Sequence, residues 1–153
     1  TNRVLIGMKK ILLKIKPDLV LVHGDTTTTM ATAIAAFYFQ IPIGHVEAGL
    51  RTYNSLSPFP EEINRQITTR LAEFHFVPTS KAKANLLSEQ IPENNIYVTG
   101  NTVIDALLSV IDKARKANYP DRLLNQLPFL GEDTSQSSRI ILVTGHRREN
   151  FGK

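Results

Sequence analysis

The 153-residue chain contains no cysteine and no tryptophan. Without thiols there is no disulfide framework, no thiolate zinc site and no cysteine nucleophile. That suits the cytoplasm. No run approaches the roughly 18 consecutive apolar residues of a membrane span, so no contact with a bilayer is expected. The first residues, Thr1-Asn2-Arg3-Val4-Leu5, show neither a signal-peptide layout nor an initiator Met. Aromatic residues are only 7 %, and the 18 basic side chains, set against 14 acidic ones, are scattered rather than gathered. The net charge of +4 therefore reads as a solvated surface and not as a nucleic-acid platform. A Gly-rich dinucleotide fingerprint and a His pair at helical metal-ligand spacing are both missing, which disfavours nicotinamide and metal chemistry.

What is present is a globular composition, 42 % hydrophobic and 21 % charged, which excludes wholesale disorder. Val4, Leu5, Met8, Ile11, Leu12 and Ile15 make one helical stripe that Pro17 stops. Apolar runs of strand length follow at 19–23, 41–46, 74–77, 95–99 and 139–144. Helical segments are expected at 26–40, 61–71, 81–90 and 102–116, with a polar, proline-containing loop at 119–138. Strands alternating with helices predict a parallel, doubly wound α/β sheet of Rossmann type, its strands buried on both faces.

In such sheets ligands collect past the carboxyl ends of the strands, and polar residues concentrate there. The first strand leads into His23-Gly24-Asp25-Thr26-Thr27-Thr28-Thr29 and the second into His45-Val46-Glu47-Ala48-Gly49-Leu50-Arg51-Thr52. Asp25 stands where an N-cap is common, and the threonines after it add hydroxyls and helix-start amides suited to a phosphate or polyol. Glu47, between an apolar strand and Ala-Gly, has no cap role. Burial there raises a carboxyl pKa toward general acid–base use. The stretch Ser57-Pro58-Phe59-Pro60-Glu61-Glu62 delivers two carboxylates to a helix start, where the dipole alone accounts for Glu62. His146-Arg147-Arg148 after the last strand offers an imidazole and two guanidiniums that match a diphosphate. His23 and His45 fit core or supporting positions.

The blocks 23–29, 45–52, 58–65 and 144–152, with Thr99-Gly100-Asn101-Thr102-Val103-Ile104-Asp105-Ala106-Leu107 as a fifth, resemble the UDP-N-acetylglucosamine 2-epimerase family, in its bacterial non-hydrolysing form. The resemblance implies two Rossmann-like domains facing across a cleft, as in one class of glycosyltransferases. It implies interconversion of UDP-N-acetylglucosamine and UDP-N-acetylmannosamine for surface polysaccharides, by elimination and re-addition of UDP, with neither metal nor redox cofactor. Asp25, Glu47 and Glu61 become the acid–base carboxylates, their division of labour open, and His146 lies near the diphosphate. Arg147 is added as a phosphate contact from charge and position, and Thr26 and Thr27 as substrate contacts. The expected partners are a UDP-sugar and, at full length, a second copy.

Mapped onto the family, residues 1–100 are expected to be the latter half of the first domain, and 101–153 the crossover helix, loop and first strand of the second. The chain is therefore expected to be the middle of a longer enzyme, with an uncovered apolar surface and weak substrate binding of its own. The alternatives are a truncated, non-catalytic product, a hydrolysing epimerase that releases N-acetylmannosamine and UDP, and a glycosyltransferase of the same plan.

Overall fold

The computed structural model describes residues 1–116 together with Val143. The chain divides into two compact units, Thr1–Ile104 and Asp105–Lys153. The first holds helix α1 (Asn2–Ile15), strand β1 (Val20–His23), α2 (Thr27–Tyr38), β2 (Ile43–Val46), α3 (Glu61–Leu71), β3 (Phe74–Val77), α4 (Ser80–Ser88) and β4 (Ile96–Val98). Helix α5 (Thr102–Lys116) runs across the division, and its apolar residues Val103, Ile104, Leu107, Leu108 and Val110 are exposed. The expected strand at 139–144 and loop at 119–138 lie outside the described residues.

The helix ends have local causes. Lys16 adopts a left-handed conformation (φ 48°) and returns its amide to the Leu12 carbonyl, so α1 closes just before Pro17. The threonine side chains of Thr26 and Thr79 accept the amides of Thr29 and Ala82, capping α2 and α4.

The four strands are parallel and ordered β1-β2-β3-β4. Each is added to the same side of its predecessor, and right-handed crossovers then put the three connecting helices on one face. The core lies on that face. Val22 and Ile43 pack with Ala33 and Ala36 of α2, while Val77 and Ile96 pack with Ala82 and Leu86 of α4. Val22, His45, His75 and Ile96 form one register row across all four strands.

Burial on both faces, expected for every strand, is not seen throughout. Among the described residues β1 is an edge strand, in which Leu21 is 61 % exposed, and Tyr97 on the same face is 43 % exposed. The described strands wind in a single direction, so their connecting helices cover one face only. Gly49 takes φ +82° and lies so close to α4 that a Cβ there would sit 2.4 Å from the Ala82 carbonyl oxygen. The loop carrying Glu47 is thereby pressed onto the start of α4.

Candidate active site

The site is built at the carboxyl ends of β1 and β2. Gly24 (φ +74°) turns the chain out of β1, and its amide donates to the Val46 carbonyl at 3.0 Å. His45 Nε2 donates to the Gly24 carbonyl at 2.8 Å, which fixes the height of this turn. Burial lowers His45 to a pKa of about 4, so the ring is neutral, with its proton on the nitrogen that faces a carbonyl. His75, its register neighbour, is likewise pushed down to about 4 by burial and then by the nearby Arg51 cation.

Asp25 stands at the mouth of this turn. It is not the cap of α2. Thr26 does that work, and the Asp25 carboxylate instead meets Arg65, with Oδ2 3.0 Å from Nη2. Asn64 Nδ2 donates to the Asp25 carbonyl at 2.9 Å and approaches the Thr27 hydroxyl at 3.4 Å. The Thr26 hydroxyl is already occupied by the Thr29 amide at 3.2 Å.

Glu47 is the first residue past β2 and has a left-handed backbone, φ 65°. That conformation is uncommon for a side-chain-bearing residue away from a helix end. It turns the side chain back over β1, where Oε2 lies 3.2 Å from His23 Nε2. A Cβ on Gly24 would stand 3.5 Å from the same oxygen, an ordinary contact, so it is the left-handed φ of +74° and not space that favours glycine here.

Helix α3 supplies the third side of the site, with its polarity inverted. Glu62, Asn64, Arg65, Thr68 and Thr69 are buried, while Ile63 and Ile67 are 38 % and 36 % exposed. Glu62, fully buried, accepts the amides of Thr52 at 3.0 Å and Tyr53 at 3.1 Å and the Gln66 amide group at 2.9 Å. Burial alone would raise its pKa, but these hydrogen bonds outweigh burial and lower it, so it stays ionised. Arg65 then spans from Glu62, Nε to Oε2 3.6 Å, to Asp25. The loop that Glu62 holds is pinned from its other side by Arg51, which makes two bonds to Glu89 at 2.7 and 3.0 Å and one to Thr69 at 3.0 Å.

The structure thus brings Asp25, Glu47 and the first turn of α3 around Gly24. Glu61 is half-buried in that turn, and its carbonyl accepts from Arg65 Nε at 3.4 Å. His146 and Arg147 lie outside the described residues. Among the described residues, no three His, Asp or Glu side chains are grouped to hold a metal ion. Sequence reasoning missed Arg65 and left Glu62 as a helix-dipole partner. The available signal was polar residues at 62, 65 and 69 in step with the helical turn, opposite Ile63 and Ile67.

Comparison with known proteins agrees with the sequence blocks. The family model for UDP-N-acetylglucosamine 2-epimerase matches residues 1–153. A Salmonella typhimurium UDP-N-acetylglucosamine 2-epimerase is 56 % identical over 154 residues, covering all of this chain and 40 % of that protein. A Yersinia pestis relative of the same description is 56 % identical over 155 residues, with 99 % and 40 % covered. The crystal structure of UDP-GlcNAc 2-epimerase from Neisseria meningitidis bound to UDP-GlcNAc superposes with a TM-score of 0.88 at 50 % identity, over 99 % of this chain and 40 % of that one. The chain spans about 40 % of the length of the relatives it matches.

Proposed function

Since the chain belongs to the UDP-N-acetylglucosamine 2-epimerase family, we propose that the protein carrying it interconverts UDP-N-acetylglucosamine and UDP-N-acetylmannosamine. The observation that carries this reading is the convergence of Asp25, Glu47 and the Glu61-bearing turn of α3 at one sheet edge. The C2 proton of the sugar is weakly acidic, so its removal has to be coupled to departure of UDP from C1. A carboxylate accepts the C2 proton, the C–H electron pair becomes the C1=C2 double bond, and UDP leaves with the C1–O pair. Re-addition of UDP at C1, with a proton delivered to the other face of C2, gives the epimer. Asp25, Glu47 and Glu61 serve as the acids and bases.

We assign His146 and Arg147 to the diphosphate, whose developing charge needs cationic or hydrogen-bonding partners. Thr26 and Thr27 belong to the same reading as substrate contacts at the start of α2. Residues 1–100 then form the latter half of the first Rossmann-like domain and 101–153 the beginning of the second. The working protein is a homodimer in the cytoplasm that feeds surface polysaccharide synthesis. No helix among the described residues is long and apolar enough to cross a membrane.

The test is proton NMR of UDP-N-acetylglucosamine incubated in deuterium oxide with the natural full-length protein and, in parallel, with the 153-residue chain. Loss of the C2 proton signal together with appearance of the UDP-linked mannosamine epimer is the expected result for the full-length protein. An unchanged C2 signal there overturns the assignment, and release of free N-acetylmannosamine with UDP would make it a hydrolase instead. Turnover by the 153-residue chain alone would mean that the whole site lies within it.

A further inference from the structure

Resting on the carboxylate roles proposed above, we infer that Arg65 is a positioning residue that holds Asp25 in its working orientation, with Glu62 as its anchor. Three observations carry this. Arg65 is buried, so its guanidinium has little solvent to turn to, and its Nη2 lies 3.0 Å from Asp25 Oδ2. Its Nε is held from behind by the Glu62 carboxylate at 3.6 Å and by the Glu61 carbonyl at 3.4 Å. Glu62 in turn is fixed by two backbone amides and by Gln66.

The planar fork of an arginine suits this task, because Nε and Nη2 point to different partners along rigid directions. A lysine presents one ammonium and can satisfy Asp25 or Glu62 well, but not both. The guanidinium reaches Asp25 from α3. Its contribution is to restrict Asp25 to one rotamer, so that the carboxylate is already placed when the sugar arrives. The Asp25 backbone is held independently, through its carbonyl, by Asn64. Removing the arginine therefore frees the side chain more than the loop.

The test uses Arg65→Met, Arg65→Lys and Asp25→Asn, singly and in combination, in the natural full-length protein, with kcat and KM for epimerisation as the readout. Arg65→Met is expected to lower kcat at least 30-fold with KM changed less than threefold. Arg65→Lys should recover part of the loss. In the Asp25→Asn background, Arg65→Met should change kcat less than threefold, because the group that Arg65 positions is already gone. Full multiplication of the two defects would overturn the proposal and leave Arg65 a stability residue.

A second measurement does not depend on the assigned reaction. Side-chain NMR relaxation at Asp25 in the natural full-length protein should show a gain in mobility in Arg65→Met and a smaller gain in Arg65→Lys, with amide exchange in β3 and α4 unchanged. An Asp25 side chain equally ordered without Arg65 overturns the positioning role. Absence of turnover in the unmodified full-length protein, with Asp25 mobilised in the variants, would sink the assigned reaction and leave the positioning intact.

Discussion

Glu47 has a left-handed backbone, φ 65°, which costs a residue with a side chain on the order of 1 kcal/mol and glycine almost nothing. Both Glu47→Ala and Glu47→Gly delete the carboxylate and its contact with His23, so the two variants differ by one methyl group and the backbone restriction it imposes. Glu47→Gly should be the more stable by about 1 kcal/mol in urea unfolding, and in the natural full-length protein both should abolish the epimerisation proposed above. Equal stability would remove backbone strain from the account of this site. The buried histidines make a second prediction at this scale. His45 and His75 hold pKa values of about 4 when folded, against 6.5 when unfolded. Below 6.5 the unfolded chain takes up protons that the folded chain refuses, so stability is lost as pH falls from 6.5 toward 4. The loss is roughly 1.4 kcal/mol per pH unit for each histidine. Urea midpoints at pH 7 and pH 5 should differ strongly, and His75→Gln should remove about half of that difference. A midpoint flat over this range would mean that neither ring is held neutral.

Helix α3 is where the elements are tied together. Its buried polar face connects the loop after β2, the turn after β1 and, through Thr69 and Arg51, the end of α4. Glu62→Gln keeps the shape but offers only one acceptor oxygen where two amides now donate. It should therefore cost about 1–3 kcal/mol and speed amide exchange at Thr52 and Tyr53 ahead of the rest of the chain. Because the native pKa of Glu62 is lowered, its contribution is present above its ordinary value of 4.5 and fades as pH falls below it. That window lies under the one set by the histidines, so the two effects separate in a titration. Arg51 has a side chain with no exposed surface, paired to Glu89. Arg51→Met should cost about 3–5 kcal/mol, since it leaves the carboxylate without its partner in a largely buried place. A loss below 1 kcal/mol would mean that the pair is no tie between β2 and α4.

At the scale of the molecule, the described surface is rich in unpaired apolar residues. Leu21 and Tyr97 on the open sheet face, Ile6, Ile11, Leu13 and Ile15 on α1, and Leu107 and Leu108 on α5 are all at least 43 % exposed. Scattered exposed aliphatics are ordinary, but groups of this kind drive association. The 153-residue chain should self-associate with rising concentration in sedimentation velocity, and Leu21→Lys combined with Tyr97→Lys should weaken that association. A sharp monomer at about 100 μM that binds no hydrophobic dye would sink this expectation.

The parallel α/β order followed from the sequence, because apolar runs of strand length alternate with 3.6-period segments. The bounds of α3 and β3 and the start of α5 could be read to the residue, helped by proline and glycine punctuation. The chemistry-bearing blocks were equally plain, since each stands immediately after a strand. What only the tertiary structure decided is how these groups are wired. Asp25 could cap α2 or face another charge, and local spacing favours the cap; packing of α3 brought Arg65 across and left the cap to Thr26. Glu62 looked like a dipole partner because two loop amides, nine and ten positions away, cannot be inferred from a helix start. The inverted face of α3 defied the usual apolar-inside pattern because its neighbours are ionised side chains and loop backbone, which ask for hydrogen bonds rather than methyl groups. Periodicity along a chain reports which face is apolar; what that face meets depends on residues distant in sequence, and only folding brings them together.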